Sequence, residues 1–313
     1  MFSYPPERNR MLSADLSAWR ARPLSHKLNF PELVAVLGIL AAELALGSSL
    51  GFEFDYVINL CLAAPFLIVA GICSVLGRSR PITDTCYFLG LWLIAVAVGG
   101  PLSYFAAMPG FALHDATLAA ADRLVGFQWP NWAAFIHSHD SIERVLRWSY
   151  TSIELQAFVS TLYFGMRSMT ARNLEMFWIT LVSLWITLAV FALYPALGPI
   201  PYFNVKSETA PYLAHLMQLR NGTLHSLLFE KIQGIVSFPS YHTACACTFM
   251  YVHRRQRYVF PVVVVLNALM LLSTPSTGGH YFVDILAGFL VAAGSIAIVR
   301  YALSKRYERD IGK

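Results

Sequence analysis

The sequence predicts an all-α, multi-pass transmembrane helical bundle of about eight spans, with both termini cytoplasmic. Three observations carry that prediction. Apolar residues make up 57% of the chain and charged residues only 13%, which excludes an ordinary soluble domain. Several apolar runs are long enough to cross a bilayer, which takes about 20 helical residues. The basic residues alternate between segments in the way the positive-inside rule requires.

The runs fall at 31–54, 57–77, 85–107, 145–165, 174–196, 240–253, 258–274 and 280–303. The sixth is short, so its outer end must be capped by an ordered loop rather than by lipid. Residues 1–29 form a polar, basic cytoplasmic tail, 30–304 a single transmembrane domain, and 305–313 a second cytoplasmic tail. The first apolar run begins too late for a cleavable signal peptide and is expected to be retained. With the amino terminus inside, 17 basic residues lie in cytoplasmic segments and 6 in outer ones. Moving the topology by one span would reverse the bias. In a bacterium this places the protein in the inner membrane.

Two outer segments are long. Residues 109–143 alternate small and apolar residues around Asp115, Asp122, Trp129 and Trp132. They are expected to form an interfacial amphipathic helix, a structural belt or a substrate-gating lid. Residues 197–239 form an outer loop of a length often tied to function. Cys61, Cys73, Cys86, Cys245 and Cys247 sit in or beside apolar runs and suggest small buried side chains rather than disulfides. His242 with Cys245 and Cys247 does not make a metal site, because residues two apart point to different faces of a helix and no fourth ligand is evident. Glu43 and Glu154 lie inside expected spans, where interhelical hydrogen bonding is the simplest reading.

Chemistry concentrates at two turns. One reads Phe238-Pro239-Ser240-Tyr241-His242, and the other runs from Ser273-Thr274 through Gly278-Gly279-His280 to Asp284. In the topology above, both histidines begin helices at the outer surface. There the free N–H groups and positive dipole ends of two helices favour an anion. Asp284 follows His280 by one helical turn and can orient the imidazole. That pattern suits phosphoryl transfer, with His280 as nucleophile, Asp284 holding its tautomer, and His242 as proton donor and then base. Ser240, Ser273, Thr274 and the backbone near Gly279 are candidate ligands for phosphoryl oxygens, and Arg220 and Lys206 candidate sources of fixed charge. A lone interfacial histidine is usually structural; two at helix starts, one backed by an intramembrane acid, point to a site.

At these residues the chain resembles the type 2 phosphatidic acid phosphatase superfamily of membrane lipid phosphatases and phosphotransferases. Pro239, Ser240, Tyr241 and His242 match its Pro-Ser-any-His motif. Ser273, His280 and Asp284 match its last motif in spacing, with Thr274 where the family has arginine. The region Tyr194 to Pro199 corresponds to the first motif but lacks its lysine and arginine. The Ser-Thr pair and the His-Tyr-Phe-Val-Asp string look like the inositol phosphorylceramide synthase branch. The resemblance implies a helical-bundle core, a phosphohistidine intermediate, no cofactor or required metal, and a lipid phosphate or phosphodiester substrate. The net positive charge follows the positive-inside distribution and does not call for a nucleic-acid partner. Two other classes stay open on the residues: a proton-coupled transporter or lipid-binding protein using the histidines as a relay, and an inactive scaffold. A transporter would place polar pairs along the middle of several spans, whereas here they cluster at one surface.

Overall fold

The computed structural model describes residues 31–205 and 212–311, with side chains of the last helix described to residue 306. The chain is helical apart from one pair of two-residue strands. In order it runs α1 (Pro31–Leu50), β1 (Glu53–Phe54), α2 (Val57–Val75), α3 (Arg80–Ala107), α4 (Asp115–Leu124), α5 (Trp129–His137), α6 (Asp140–Thr151), α7 (Ile153–Met166) and α8 (Thr170–Leu193). There follow α9 (Pro199–Tyr202), α10 (Tyr212–Arg220), β2 (Ser226–Leu227), a 3-10 turn (Phe229–Lys231), α11 (Tyr241–His253), α12 (Val259–Ser273) and α13 (Phe282–Ile311).

Among the described residues, five helices are long and apolar enough to cross a membrane: α1, α2, α3, α8 and the Phe282–Arg306 part of α13. The other expected spans correspond to shorter helices. α7 has 14 residues, α11 has 13 and α12 has 15. At 1.5 Å per residue, helices of this length rise only about 20 Å. α6 runs almost directly into α7 through Ser152, which extends that passage. α3 starts five residues before the expected run, because Pro81 is well placed in a first helical turn.

α8 is the central post. Its 24 residues separate two ends of the bundle by roughly 36 Å. At its first turns lie charged clusters. Glu175 pairs with Arg172 at 3.0 Å and with Arg254, just beyond α11, at 3.2 Å. Glu32 at the start of α1 accepts from Tyr87 on α3 and Trp178 on α8, both at 3.2 Å, and meets Arg306 of α13 at 3.5 Å. Buried charges of this kind persist only when paired. The opposite end of α8 leads to the two histidine turns. Between the ends, Trp92 and Phe177 meet edge to face at 5.8 Å in the central apolar cluster.

The segment expected as one interfacial helix over 109–143 is three helices, α4, α5 and the start of α6. Gly126, at φ +80°, ends the first helix, and Pro130 occupies the first turn of the second. The outer loop is anchored by β2, which pairs in parallel with β1 in the α1–α2 connection, Glu53 opposite Ser226 and Phe54 opposite Leu227. Glu43 is buried and accepts from Tyr56 at 3.3 Å, which joins α1 to the start of α2. All five cysteines are free.

Candidate active site

α11 and α13 bring the two histidine turns together. Ser240 caps α11, its hydroxyl accepting from the Thr243 amide at 3.3 Å. The Ser240 amide in turn donates to the carbonyl of Asp284 on α13 at 3.0 Å. The helices cross where α13 has Gly288. A Cβ there would stand 2.6 Å from the Ser240 carbonyl oxygen and from Thr243 Cβ, so only glycine permits this approach.

His280 and Asp284 form the expected pair. The imidazole Nδ1 lies 3.3 Å from Asp284 Oδ2, which also accepts from the Tyr281 amide at 2.8 Å. Both side chains are buried. A carboxylate at Nδ1 fixes the tautomer that leaves Nε2 with a free lone pair. His242 lies flat against Tyr150 of α6, ring centroids 3.9 Å apart and planes at 13°. Both histidines and Tyr150 line one cavity of about 440 Å³. Its walls come from α3, α7, α8, α11 and residues 229–236 of the outer loop, and are mostly apolar. Two imidazoles therefore face a mostly apolar chamber.

The remaining sequence candidates divide. The hydroxyls of Ser273 and Thr274 are buried and donate to the Met270 carbonyl at 2.6 and 2.9 Å, which shapes the turn before His280. Gly279 adopts φ +61° beside Ile200 and Tyr212. Arg220 lies elsewhere. It donates to the carbonyls of Gly110 and Phe111 at 3.2 and 2.8 Å and does not line the cavity. Lys206 falls outside the described residues. Glu154 makes no interhelical bond to a described residue and lines the cavity instead. Among the described residues, no three His, Cys, Asp or Glu side chains converge as a metal site would require.

Three residues join the site without a motif to mark them. Asp115 of α4 accepts from the amides of Leu197 and Gly198, each at 2.9 Å, and from the hydroxyl of Tyr281 at 3.0 Å. Asp122, two helical turns later, caps α13 from outside, accepting from the amides of Phe282 and Val283 at 3.0 and 2.9 Å. Burial raises its carboxyl above the ordinary aspartate range, and those amide bonds oppose the rise. Tyr150 is the third, and Tyr281, from the His-Tyr-Phe-Val-Asp string, joins them through Asp115. Trp129 of α5 adds a bond from its indole nitrogen to the Pro275 carbonyl at 2.8 Å. The 109–143 segment is thus a brace on the His280 turn. The spacing of Asp115 and Asp122, seven residues apart on one helix face, is the only hint of this in the sequence.

The profile of the PAP2 superfamily matches residues 116–298. Comparison with curated proteins and with solved structures gives no match. The matched region contains both histidine turns, Asp122, Tyr150 and every helix lining the cavity except α3. Such membership suggests lipid phosphatase or phosphotransferase chemistry. The match covers more than half of the chain, and the protein belongs to the PAP2 superfamily.

Proposed function

We propose that the protein is an integral membrane enzyme that cleaves a lipid phosphoester at the non-cytoplasmic face through a phosphohistidine at His280. The observation that carries this reading is the Asp284-backed His280, with His242 beside it, at the wall of an apolar cavity.

Nε2 of His280 attacks phosphorus, and the bond to the leaving oxygen breaks as His242 delivers a proton to it. The phosphoryl group, or phospho-head group, is then bonded to Nε2, and the proton on Nδ1 remains shared with Asp284. His242, now neutral, removes a proton from an incoming alcohol or water. That oxygen attacks phosphorus and frees His280. Backbone N–H groups at the start of α11 stabilise the oxygens as charge builds, since those of Tyr281, Phe282 and Val283 at the start of α13 are taken by Asp284 and Asp122. Ser240, Ser273, Thr274 and Gly279 shape the two histidine turns. Of the two outer-loop candidates for additional positive charge, Arg220 is held away from the cavity by the carbonyls of Gly110 and Phe111, which leaves Lys206.

Thr274 in place of arginine, and the string His280 to Asp284, favour an alcohol acceptor over water, in the manner of the inositol phosphorylceramide synthase branch. The outer face follows from the positive bias of the opposite segments, and in a bacterium it is periplasmic. The test is turnover of lipid phosphates by purified protein in detergent, with and without inositol and lipid alcohols, and with EDTA. Release or transfer of phosphate that resists EDTA and vanishes in His280→Ala supports the reading. Full turnover in His280→Ala removes it.

A further inference from the structure

The two imidazoles of the site are held in different ways. His280 has the Asp284 carboxylate at Nδ1. No described residue hydrogen-bonds to the His242 imidazole. The last torsion of a histidine side chain is broad, so the chain itself restrains that ring only loosely. What fixes its plane is Tyr150, whose ring lies parallel to it, 3.9 Å between centroids and 13° between planes. A stack of this kind restrains the plane and leaves both ring nitrogens free at the edge.

Tyr150 is fixed in turn by the other histidine turn. α6, which carries it, packs along α12, the helix leading into that turn. A Cβ on Gly278 would meet Tyr150 Cε2 at 2.7 Å and His280 Cδ2 at 2.8 Å, so both rings border one point. The same tyrosine ring is therefore stacked on His242 and set against the approach to His280. Its hydroxyl bonds to no described residue.

We propose that Tyr150 is a positioning residue whose ring, and not its hydroxyl, orients His242 for both of its proton transfers. This rests on the phosphohistidine reading above. His280 gains from an acid behind it, because the tautomer decides which nitrogen attacks. His242 must give up a proton and take one back in each cycle. A carboxylate bonded to it would favour the imidazolium and oppose its return to base. A neutral ring fixes the plane with a weaker preference for the charged form.

The test is a double-mutant cycle on turnover of a lipid phosphate in detergent, with Tyr150→Leu, His242→Ala and the pair. Tyr150→Leu is expected to lower kcat about 100-fold, the scale of a misplaced catalytic group. Tyr150→Phe keeps the ring and loses no hydrogen bond, and should stay within about twofold. In the His242→Ala background, Tyr150→Leu should cost less than about threefold more, because residues acting as one unit are not additive. Tyr150→Met, of similar reach but with no planar face, carries the comparison if the leucine variant does not fold. A phenylalanine loss equal to the leucine loss assigns the role to the hydroxyl and overturns the proposal. So does a full further loss in the His242→Ala background, which places the action of Tyr150 elsewhere.

A second arm needs no turnover. In protein labelled at histidine, the ring resonances of His242 are identified by their absence from the His242→Ala spectrum. The face of a stacked tyrosine should shift them upfield. Tyr150→Phe should keep that shift, and Tyr150→Leu should abolish it. A His242 signal that is the same in wild type and Tyr150→Leu overturns the proposal. This arm decides if His242→Ala is too slow to enter the cycle. If wild type turns over no lipid phosphate, the catalytic reading fails, and the resonances still decide whether Tyr150 holds His242.

Discussion

The hydroxyl of Tyr281 donates to the carboxylate of Asp115 at 3.0 Å, across 166 positions of sequence. The same carboxylate holds the amides of Leu197 and Gly198. One buried acid on a surface helix thus ties the residue after His280 to the end of α8. The position of the proposed nucleophile is set by α4 as much as by the helix that His280 precedes.

Asp115→Ala should therefore destabilise the fold and impair activity together. It strands two amides and a hydroxyl in a buried setting, and each such group costs about 1–3 kcal/mol. Tyr281→Phe removes one donor and leaves Asp115 its two amides, so its stability loss should be about 1 kcal/mol. Thermal unfolding in detergent orders the two. A Tyr281→Phe loss as large as that of Asp115→Ala would contradict the assignment.

Asp122 gives a pH dependence. Burial raises its folded pKa above the ordinary value, against the pull of the Phe282 and Val283 amides. A raised acid favours the folded state while protonated. Its stabilising contribution is complete below the unfolded pKa and is lost as pH rises through the folded one. Asp122→Asn does not titrate. The stability of wild type relative to Asp122→Asn should fall as pH rises above the ordinary aspartate range, about pH 4. A relative stability that grows as pH rises would show that the amide bonds outweigh burial.

Gly278 is, with Gly288, one of the tightest points of the site. A Cβ there would stand 2.7 Å from the Thr274 carbonyl oxygen and from the Tyr150 ring, and 2.8 Å from His280 Cδ2. Gly278→Ala must displace one of these neighbours. Misplacement of about 1 Å is enough to lower turnover on the order of 100-fold. The steady-state kcat is expected to drop by that order with the protein still folded, and a wild-type kcat would contradict the geometry.

Asp284→Asn should leave the helix in place and disturb the tautomer of His280. Loss of the orienting acid in a comparable pair costs about 10⁴ in kcat. Steady-state assay of the folded variant measures it, and a loss below about tenfold would mean that Asp284 is structural.

Much of this architecture could be read in advance. Hydropathy marks the helices because each must bury or present an apolar surface along its whole length. His280 and Asp284 were legible because a one-turn spacing is local, and His242 because Pro239-Ser240 announces a helix start. Asp115, Asp122 and Tyr150 were not, because their partners lie far away in the chain and no local rule links them. Arg220 reads as a free charge, yet it holds the carbonyls of Gly110 and Phe111. The two-residue strands are too short to leave a pattern. Gly126 and Pro130 did carry the break in the 109–143 segment, where amphipathic alternation alone suggested one helix.

The most direct measurement is rapid quench of the protein with a lipid phosphate, followed by mass spectrometry of the peptide containing His280. A phosphoryl group, or phospho-head group, on His280 is expected at short times. It should accumulate in His242→Ala, provided that variant still forms it, and be absent in His280→Ala. Turnover with no covalent adduct on His280, or an adduct on another residue, would contradict the account.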